Sequence, residues 1–446
     1  MRRLRHAMHQ LASRLMRFGC WLLFVLTVIP VRAQQPSMLQ TARQAMDAKE
    51  YTTAEQLYRK ALAQTPSSAE VLTDLGLSLQ LQGRSADAMH YYSLALKQRY
   101  VPETYALLAG EKCRMGDLES LRPMLGRIYR EERKNLRVLS AVAPCYLDID
   151  EPIESAEIYQ ALLSGNEYPA DLALIQLAKS YIRSGQFFAG KLSKAPGSEP
   201  FLAALRQAPS AGSAGARSAF ADAARISPYF SADLNWPEAV GRWRQHPEDT
   251  ALLYLLSVLS AEEGMRQIEI CDERYSASPY LEQFHADVLA DQGHGDEAAA
   301  EYEQLMREHL ELPDLPYSLG LLHEKRGEWD KAAQAFRQQL TQTPNDERAA
   351  VHLSKSMLQM GQYAALRDFL DAKVRAEHPP QWARLDLAEA EQKLGNSDAA
   401  IRVLVAAERD ANPGKLVHYR LMHLYTMTGR PADAKREYVL FQAASR

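Results

Sequence analysis

Cysteine is scarce in this sequence, and its few copies follow none of the spacings that build metal or redox sites. The 446 residues hold 4 cysteines and no Cys-x-x-Cys pair. That absence excludes zinc ribbons and thioredoxin-like active sites. The three cysteines beyond residue 33 are too sparse to form a disulfide framework. We interpret Cys113, Cys145 and Cys271 as small buried side chains, with a Cys113–Cys145 bridge as the alternative.

Motifs typical of catalysis or metal binding are missing as well. The sequence has no His-Glu-x-x-His, no Gly-x-Ser-x-Gly and no complete calcium-binding loop. Gly185 to Lys191 matches the spacing of a phosphate loop, but Leu192 stands where Ser or Thr would hold magnesium. We therefore expect a protein that is not an enzyme and has no cofactor and no metal.

Acidic residues and lysine are absent from the N-terminal segment 1–33, which contains six arginines. The rest of the chain has 46 basic and 56 acidic residues, a net charge of −10 with histidine neutral. An acidic body of this kind does not provide the basic surface that nucleic acids require. We therefore expect no nucleic-acid partner.

The same N-terminal segment has the three parts of a secretory signal peptide. An arginine-rich start precedes an apolar run of 14 residues, 18–31, and Val31-Arg32-Ala33 provides a cleavage site before Gln34. We expect residues 1–33 to direct export to the periplasm or cell envelope. An uncleaved N-terminal anchor is the alternative. No later stretch has the length of apolar sequence that a spanning helix needs, so we expect no membrane span in the mature chain.

A 34-residue period runs through most of what remains. Gly293, Gly327, Gly361, Gly395 and Gly429 follow one another at this constant interval. Five positions after these glycines come Ala298, Ala332, Leu366, Ala400 and Ala434, and four further on come Tyr302, Phe336, Leu370, Leu404 and Tyr438. Each period contains two apolar-periodic stretches of about 14 residues, which predicts a hairpin of two helices, helix A and helix B. One such hairpin cannot bury its apolar face alone, so the units should stack into a solenoid.

This pattern resembles the tetratricopeptide repeat family, over residues 36–187 and 248–446. The resemblance implies an all-α solenoid of stacked antiparallel helix pairs, with helix A lining the concave side. Two positions depart from the family pattern: Leu366 replaces the small alanine, and Pro144 stands where glycine or alanine is expected. We expect the units that contain them to pack less closely.

The repeat is interrupted in the middle of the chain. Residues 195–227 are rich in Ala, Gly, Ser and Pro. We therefore divide the mature chain into an N-terminal repeat block (34–187), an irregular junction (188–247) and a C-terminal repeat block (248–446). Gly185 is interpreted as a repeat turn, and the junction as either a flexible linker or short helices with an exposed loop at 207–218.

The concave face is the surface we expect to bind a partner. In the family, the outward positions of helix A are roughly the second, fifth, ninth, twelfth and thirteenth of each unit. In the C-terminal block these positions hold Tyr280, Tyr317, Lys355, Trp382, Tyr419 and His423, which we take as candidate partner-binding residues. None of the ninth positions of the units holds the asparagine with which one subclass of the family clamps C-terminal carboxylates, so we do not expect that kind of docking. These positions hold Arg43, Leu77, Gly110, Cys145, Lys179, Asp287, Leu321, Lys355, Glu389 and His423. Aromatic rings beside cations suit peptide or glycan recognition. The alternative is that these rings belong to the core between repeats.

These patterns predict a non-catalytic scaffold in the cell envelope that binds a protein or an extended peptide. A glycan-binding subunit of a polysaccharide or cell-wall assembly machine is the second hypothesis. An enzyme with its site in the junction is the third and has the least support.

Overall fold

The computed structural model describes residues 37–115, 117–165, 168–207, 214–309, 312, 314–344, 346–375, 379–409 and 413–444. The expected signal peptide (1–33) and the centre of the expected junction loop (208–213) lie outside these ranges. The described ranges contain helices and no strand, which confirms the all-α prediction. Within them, no helix combines the length and apolar character that crossing a membrane requires.

The described residues form 24 helices, numbered here in chain order. The first eight are α1 Met38–Asp47, α2 Tyr51–Gln64, α3 Ala69–Gln80, α4 Ser85–Gln98, α5 Pro102–Arg114, α6 Leu118–Glu131, α7 Leu136–Val142 and α8 Cys145–Asp148. The next eight are α9 Pro152–Gly165, α10 Ala170–Leu192, α11 Glu199–Gln207, α12 Ala214–Ile226, α13 Trp236–Gln245, α14 Thr250–Tyr275, α15 Pro279–Gln292 and α16 Gly295–Glu308. The last eight are α17 Leu315–Lys325, α18 Trp329–Gln342, α19 Glu347–Gln359, α20 Tyr363–Val374, α21 Gln381–Lys393, α22 Ser397–Glu408, α23 Lys415–Met427 and α24 Pro431–Ala443.

The helices pair into stacked units, each with a helix A followed by a helix B. Units 1 to 3 are α1–α2, α3–α4 and α5–α6. In unit 4, Pro144 separates α7 from α8, so two short helices stand in for helix A and α9 is helix B. Unit 5 pairs α10 with α14, and units 6 to 10 follow from α15–α16 to α23–α24. This arrangement is the predicted solenoid.

The glycine that ends helix A in units 6 to 10 adopts a left-handed backbone conformation. The φ angles of Gly293, Gly327, Gly361, Gly395 and Gly429 lie between +70° and +87°. Glycine has no Cβ, so it enters this region without steric cost. The next residue closes the turn with a backbone hydrogen bond to a carbonyl five residues back, as Glu328 does to His323 at 2.9 Å. The 34-residue glycine register is therefore confirmed as a register of turns.

Close packing inside each unit depends on small residues facing a ring. A Cβ added to Gly320 on helix A would lie 2.5 Å from the Phe336 ring on helix B, and Gly76 meets Tyr92 in the same way at 2.6 Å. The predicted helix B residues of units 6 to 9 are buried as expected: Ala298, Ala332, Leu366 and Ala400, with Tyr302, Phe336, Leu370 and Leu404. The equivalent Tyr438 of unit 10 is 48% exposed.

Gly185 is not a turn, so that prediction is wrong. It lies inside the 23-residue helix α10, which runs antiparallel to the 26-residue helix α14. A Cβ at Gly185 would lie 3.3 Å from the carbonyl oxygen of Ser257, and one at Gly264 would lie 2.9 Å from Ile182 Cγ1. The two glycines therefore allow the long helices to approach closely. Helix α14 serves as helix B of unit 5, although α11, α12 and α13 separate it from α10 along the chain.

The described residues 193–207 and 214–249 form a folded insertion between these two helices. Of the two interpretations of the junction, the structure agrees with short helices rather than a flexible linker: α11, α12 and α13 all pack against α14. The Phe201 and Tyr254 rings stack at 5.1 Å, and Trp236 Nε1 donates a hydrogen bond to Ser260 Oγ at 2.9 Å. The insertion therefore extends the core of unit 5. The boundary drawn at residue 187 falls inside α10.

A disulfide joins Cys113 in α5 to Cys145 in α8, with Cα atoms 5.8 Å apart. Our preferred interpretation of all three cysteines as free buried residues is therefore wrong for this pair and correct for Cys271, which is free and buried. The bridge ties unit 3 to unit 4 beside Pro144, where helix A is interrupted. A covalent link of this kind stabilises a fold mainly by restricting the unfolded chain.

The close approach of α10 and α14 predicts opposite effects of two glycine-to-alanine substitutions. Gly190→Ala lies in α10 with nothing within 4 Å of the new Cβ, so it should raise the free energy of unfolding by up to about 1 kcal/mol. Gly264→Ala should lower it by about 1–2 kcal/mol, because the new Cβ meets Ile182. Chemical denaturation of both variants provides the test. Equal stabilisation by the two changes would contradict a tight crossing.

Candidate partner-binding groove

A cavity of about 500 Å³ is lined by helices A of four consecutive units, with Tyr302 added from helix B of unit 6. Unit 4 contributes Leu147, unit 5 contributes residues from Lys179 to Gln186, unit 6 contributes residues from Phe284 to Asp291, and unit 7 contributes residues from Ser318 to Lys325. We call this cavity the groove. Its lining joins α10 of unit 5 to helices A of units 6 and 7.

One wall of the groove carries an internally balanced ion pair. Lys179 Nζ lies 2.7 Å from Asp287 Oδ2, and the hydroxyl of Tyr302 donates a hydrogen bond to Asp287 Oδ1 at 2.5 Å. Burial and the neighbouring Asp287 charge raise the pKa of Tyr302, so this hydroxyl stays protonated and remains a donor. Both oxygens of Asp287 therefore already have partners, and the Lys179–Asp287 pair has no net charge.

Lys325 and Asp291, at the rim of the groove, are held less tightly than the Lys179–Asp287 pair. Lys325 Nζ and Asp291 Oδ1 are 3.4 Å apart, with side chains 65% and 85% exposed. Such exposed pairs contribute little stability. Arg183 is exposed and forms no hydrogen bond or ion pair among the described residues, and its positive charge acts only at longer range, where it opposes the burial that raises the pKa of Asp148. A carboxylate of a ligand could bind Arg183 or Lys325 without first breaking a strong internal contact.

Apolar side chains form the floor between these charges. Ile182 and Leu147 are partly buried, and Leu321 is 36% exposed. Chemically, the groove therefore offers an apolar contact strip with a cation at the rim and hydrogen-bonding groups beside it. That combination suits an extended segment with one or more apolar side chains and an acidic group.

The candidate rings Tyr317 and Trp382 do not project freely into solvent, which agrees with the alternative that rings at these positions belong to the core between repeats. Both are partly buried against the hydrophobic core of units 7 to 9. The Tyr317 ring packs 5.6 Å from His352 and under Arg348 at 4.7 Å, and burial raises the pKa of Tyr317 to about 12. Trp382 Nε1 donates a hydrogen bond to Glu347 at 2.8 Å. The register used to choose these positions does not reveal that the next unit packs over them.

The other four candidates are spread along the solenoid. Tyr280 is partly buried between two core clusters. Lys355 is exposed and pairs with Glu324 at 2.6 Å. Tyr419 and His423 are exposed on the last unit. None of the six candidates lines the groove, and their role in partner binding stays a prediction. The groove is instead lined by Lys179, Asp287 and Leu321, among others. All three occupy the ninth position of their units, and that position is the sequence signal that could have selected them.

The curvature of the solenoid also brings units 2 and 3 close to units 7 to 9. Asp87 and Lys373 line a shared cavity of about 400 Å³. Arg114 lines a second shared cavity, of about 520 Å³, with Asp346 and Arg348. Burial lowers the pKa of Arg114, and the positive charge of Arg348 lowers it further. The two repeat blocks therefore approach each other through charged surfaces that leave space between them.

One cluster in unit 10 has the residue types of a metal site. Ligand atoms of Glu408, His418 and Glu437 lie within 4.8 Å of one another, and His418 Nδ1 is 2.9 Å from Glu437 Oε2. Arg436 donates to the other Glu437 oxygen at 2.8 Å and its pKa is raised by that contact. Arginine and histidine already satisfy the buried carboxylate, so the residues fit a hydrogen-bonded ion cluster better than a metal centre.

The stacked helix pairs define a helical-repeat protein. Models of the tetratricopeptide repeat match residues 39–100, 285–347 and 381–406. Together with the observed stacking of helix pairs, these matches identify the chain as a tetratricopeptide repeat protein, which confirms the predicted family.

Solved structures of other proteins resemble parts of the chain weakly. MamA (AMB-1) is 20% identical and covers 37% of this chain and 98% of its own, with a TM-score of 0.30. A tetratricopeptide repeat protein from Parabacteroides merdae is 15% identical over 72% of this chain and 97% of its own, with a TM-score of 0.41. Yeast Tom70 is 12% identical and covers 92% of this chain and 95% of its own, with a TM-score of 0.30. No curated protein sequence matches the chain.

The packing of Tyr317 predicts a contrast with Tyr419, which occupies the same register position three units later. Tyr317→Ala should lower the free energy of unfolding by about 2–4 kcal/mol, because it leaves a cavity between units 7 and 8. Tyr419→Ala, at a ring that is 47% exposed, should cost less than about 1 kcal/mol. Denaturant titrations of both variants provide the comparison. A loss at Tyr317 as small as that at Tyr419 would mean that its ring contributes no packing.

Proposed function

We propose that this protein is a non-catalytic scaffold of the cell envelope that binds an extended segment of a partner protein in the groove. The supporting observation is the groove itself, in which four helices A combine an apolar floor with a free rim cation. Proteins built from tetratricopeptide repeats generally act through such protein contacts. The proposal therefore moves the expected site from the Tyr317–Trp382 region to the surface between Leu147 and Lys325.

The groove favours a peptide over a glycan. Glycan recognition uses aromatic rings that lie open on a surface, but Tyr317 and Trp382 are packed against the core. The exposed apolar lining of the groove is instead aliphatic, with Leu147, Ile182 and Leu321, and the two rings that line it, Phe284 and Tyr302, are buried. Aliphatic strips of this kind receive apolar side chains of a peptide. A glycan-binding role therefore has less support from these residues than it had from the sequence.

The groove also suggests which peptide binds. The Asp287 carboxylate is occupied by Lys179 and Tyr302, whereas Arg183 has no such partner among the described residues. An acidic residue beside the apolar anchor of the ligand would find a cation there without displacing an internal contact. We therefore expect an acidic–apolar segment rather than a basic one.

Two features support an envelope location. The N-terminal sequence has the form of a signal peptide, and the Cys113–Cys145 disulfide is of a kind that persists in oxidising compartments. An N-terminal anchor that stays attached to the membrane would give the same compartment with a different N-terminus. The junction enzyme receives no support, since the described insertion helices are occupied in packing against α14.

Export can be tested on protein recovered from its native host. Intact-mass measurement should find a chain that begins at Gln34 and is lighter by two hydrogen atoms than the fully reduced form, because the disulfide has formed. A chain that still carries Met1 in the membrane fraction would support the anchor instead. A chain with both Cys113 and Cys145 reduced in its native compartment would contradict an oxidising location.

Binding in the groove can be tested by site-specific cross-linking. A photoreactive residue at Leu321 should capture a partner segment in envelope extract, whereas one at Ile226, which is 60% exposed outside the groove, should not. Mass spectrometry then identifies the captured segment, and a synthetic peptide of that sequence is titrated.

In that titration, Arg183→Glu should weaken binding at least about tenfold by reversing the rim charge. Lys191→Glu makes the same charge change at an exposed position of α10 that does not line the groove, and it should leave the affinity within about twofold. Equal loss in both variants, or capture only at Ile226, would overturn the proposed site.

A further inference from the structure

A cluster of metal-ligating side chains lies on unit 6, at the end of the α15–α16 hairpin that is opposite the Gly293 turn. Ligand atoms of Glu282, Glu308 and His309 lie within 4.8 Å of one another. Glu282 is in the first turn of α15, Glu308 is the last residue of α16, and His309 follows it. The pairing of two helices within one unit therefore brings two carboxylates and an imidazole together.

The carboxylates of this cluster are not neutralised by lysine or arginine. Glu282 Oε2 and His309 Nε2 are 4.0 Å apart, and Gln304 donates a hydrogen bond to Glu308 Oε1 at 3.1 Å. Among the described residues, no lysine or arginine forms an ion pair with Glu282, Glu308 or the neighbouring Glu301. The cluster therefore has a negative charge when its histidine is neutral, and that charge attracts a cation.

The cluster in unit 10 has the same residue types but already contains its own cation. There Arg436 donates a hydrogen bond to Glu437, and His418 lies 2.9 Å from the other oxygen of that carboxylate. Both His418 and Glu437 are buried. In unit 6 the side chains of Glu282 and His309 are 45% and 25% exposed, so an ion can reach them from solvent. Of the two clusters, the one in unit 6 combines an open approach with the absence of a competing arginine.

A cavity of about 200 Å³ lies beside the cluster, in the seam between α15 and α16. Glu282, His285 and Glu301 line this cavity. Glu282 and His285 are three positions apart on α15, so their side chains lie on the same face of the helix. The cavity therefore gives a bound ion room for water ligands and places a second imidazole near the site.

We propose that Glu282, Glu308 and His309 bind a divalent transition-metal ion of the Zn²⁺ type, with water as the remaining ligand. Zinc binds imidazole nitrogen and carboxylate oxygen at about 2.0–2.2 Å, so the ligand atoms around it lie about 3–4 Å from one another. Exposed glutamate side chains reach this geometry by small rotations. An imidazole combined with carboxylates suits zinc, whereas calcium and magnesium prefer sites made of oxygen alone.

The sequence does not reveal this site, because metal motifs are recognised by short spacings along one segment. Glu282 and Glu308 stand at opposite ends of a helical hairpin in the sequence and meet only when α15 and α16 pair. The expectation that the chain has no metal was based on such short spacings.

A bound ion joins the first turn of α15 to the end of α16. Another face of α15 carries Asp287, which lines the groove, so the ion stabilises the helix that forms one groove wall. The site itself does not depend on what the groove binds.

Isothermal titration of the full chain, first freed of metal with a chelator, against ZnCl₂ provides the test. The wild-type chain should bind zinc with a dissociation constant on the order of micromolar. His309→Ala should raise this constant at least about tenfold by removing the imidazole, and Glu282→Gln at least about fivefold by removing a carboxylate charge. His294→Ala is the matched control, because His294 lies 3.2 Å from Glu297 at the exposed start of α16, and it should leave the constant within about twofold.

Hydrogen exchange of the unmodified chain gives a second measurement that does not depend on a variant folding. Zinc should slow exchange in the first half of α15 and the second half of α16. Slowed exchange in α23 and α24 instead would assign zinc to the unit 10 cluster and overturn the proposal. A dissociation constant above about 100 μM, an unchanged affinity in His309→Ala, or equally tight binding of Ca²⁺ would also overturn it.

Discussion

The ring or leucine on helix B of each unit can be buried only by helix A of the following unit. Phe336 reaches zero exposure because Gly320 admits it from one side and His352 covers it from the other. Each unit therefore depends on its neighbour for the burial of its own apolar side chains. This dependence explains why the stack must continue without a gap through the middle of the chain.

The α10–α14 pair preserves this continuity across the insertion. Helix α14 takes the place that a helix B would occupy immediately after α10, and Gly185 and Gly264 let the two helices approach as closely as the shorter pairs elsewhere. The inserted helices then cover the far side of α14. The concave surface remains unbroken as a result, and the groove can draw on units from both repeat blocks. The disulfide supports the same region from the other side, where Pro144 interrupts helix A.

Electrostatics divides the concave face into occupied and available groups. Lys179, Asp287 and Tyr302 satisfy one another, so they shape the groove without being free to bind. Arg183 and the loosely held Lys325 remain accessible at the rim. Composition alone does not separate these two sets, because both consist of ordinary charged residues on helix A. The separation follows from which neighbouring unit brings an opposite charge within hydrogen-bonding distance.

The sequence by itself determined the repeat: the glycine turns, the small residues and rings of helix B, and the all-α solenoid follow from spacings within a single repeat period. Such spacings fix local turns and helix faces, which is why they could be predicted. Only the tertiary structure decided the role of Gly185, the pairing of Cys113 with Cys145, and the burial of Tyr317 and Trp382. Each of these depends on a helix brought close by packing rather than by sequence. The same register position is partly buried at Tyr317, where Arg348 and His352 of the next unit pack on the ring, and is 47% exposed at Tyr419.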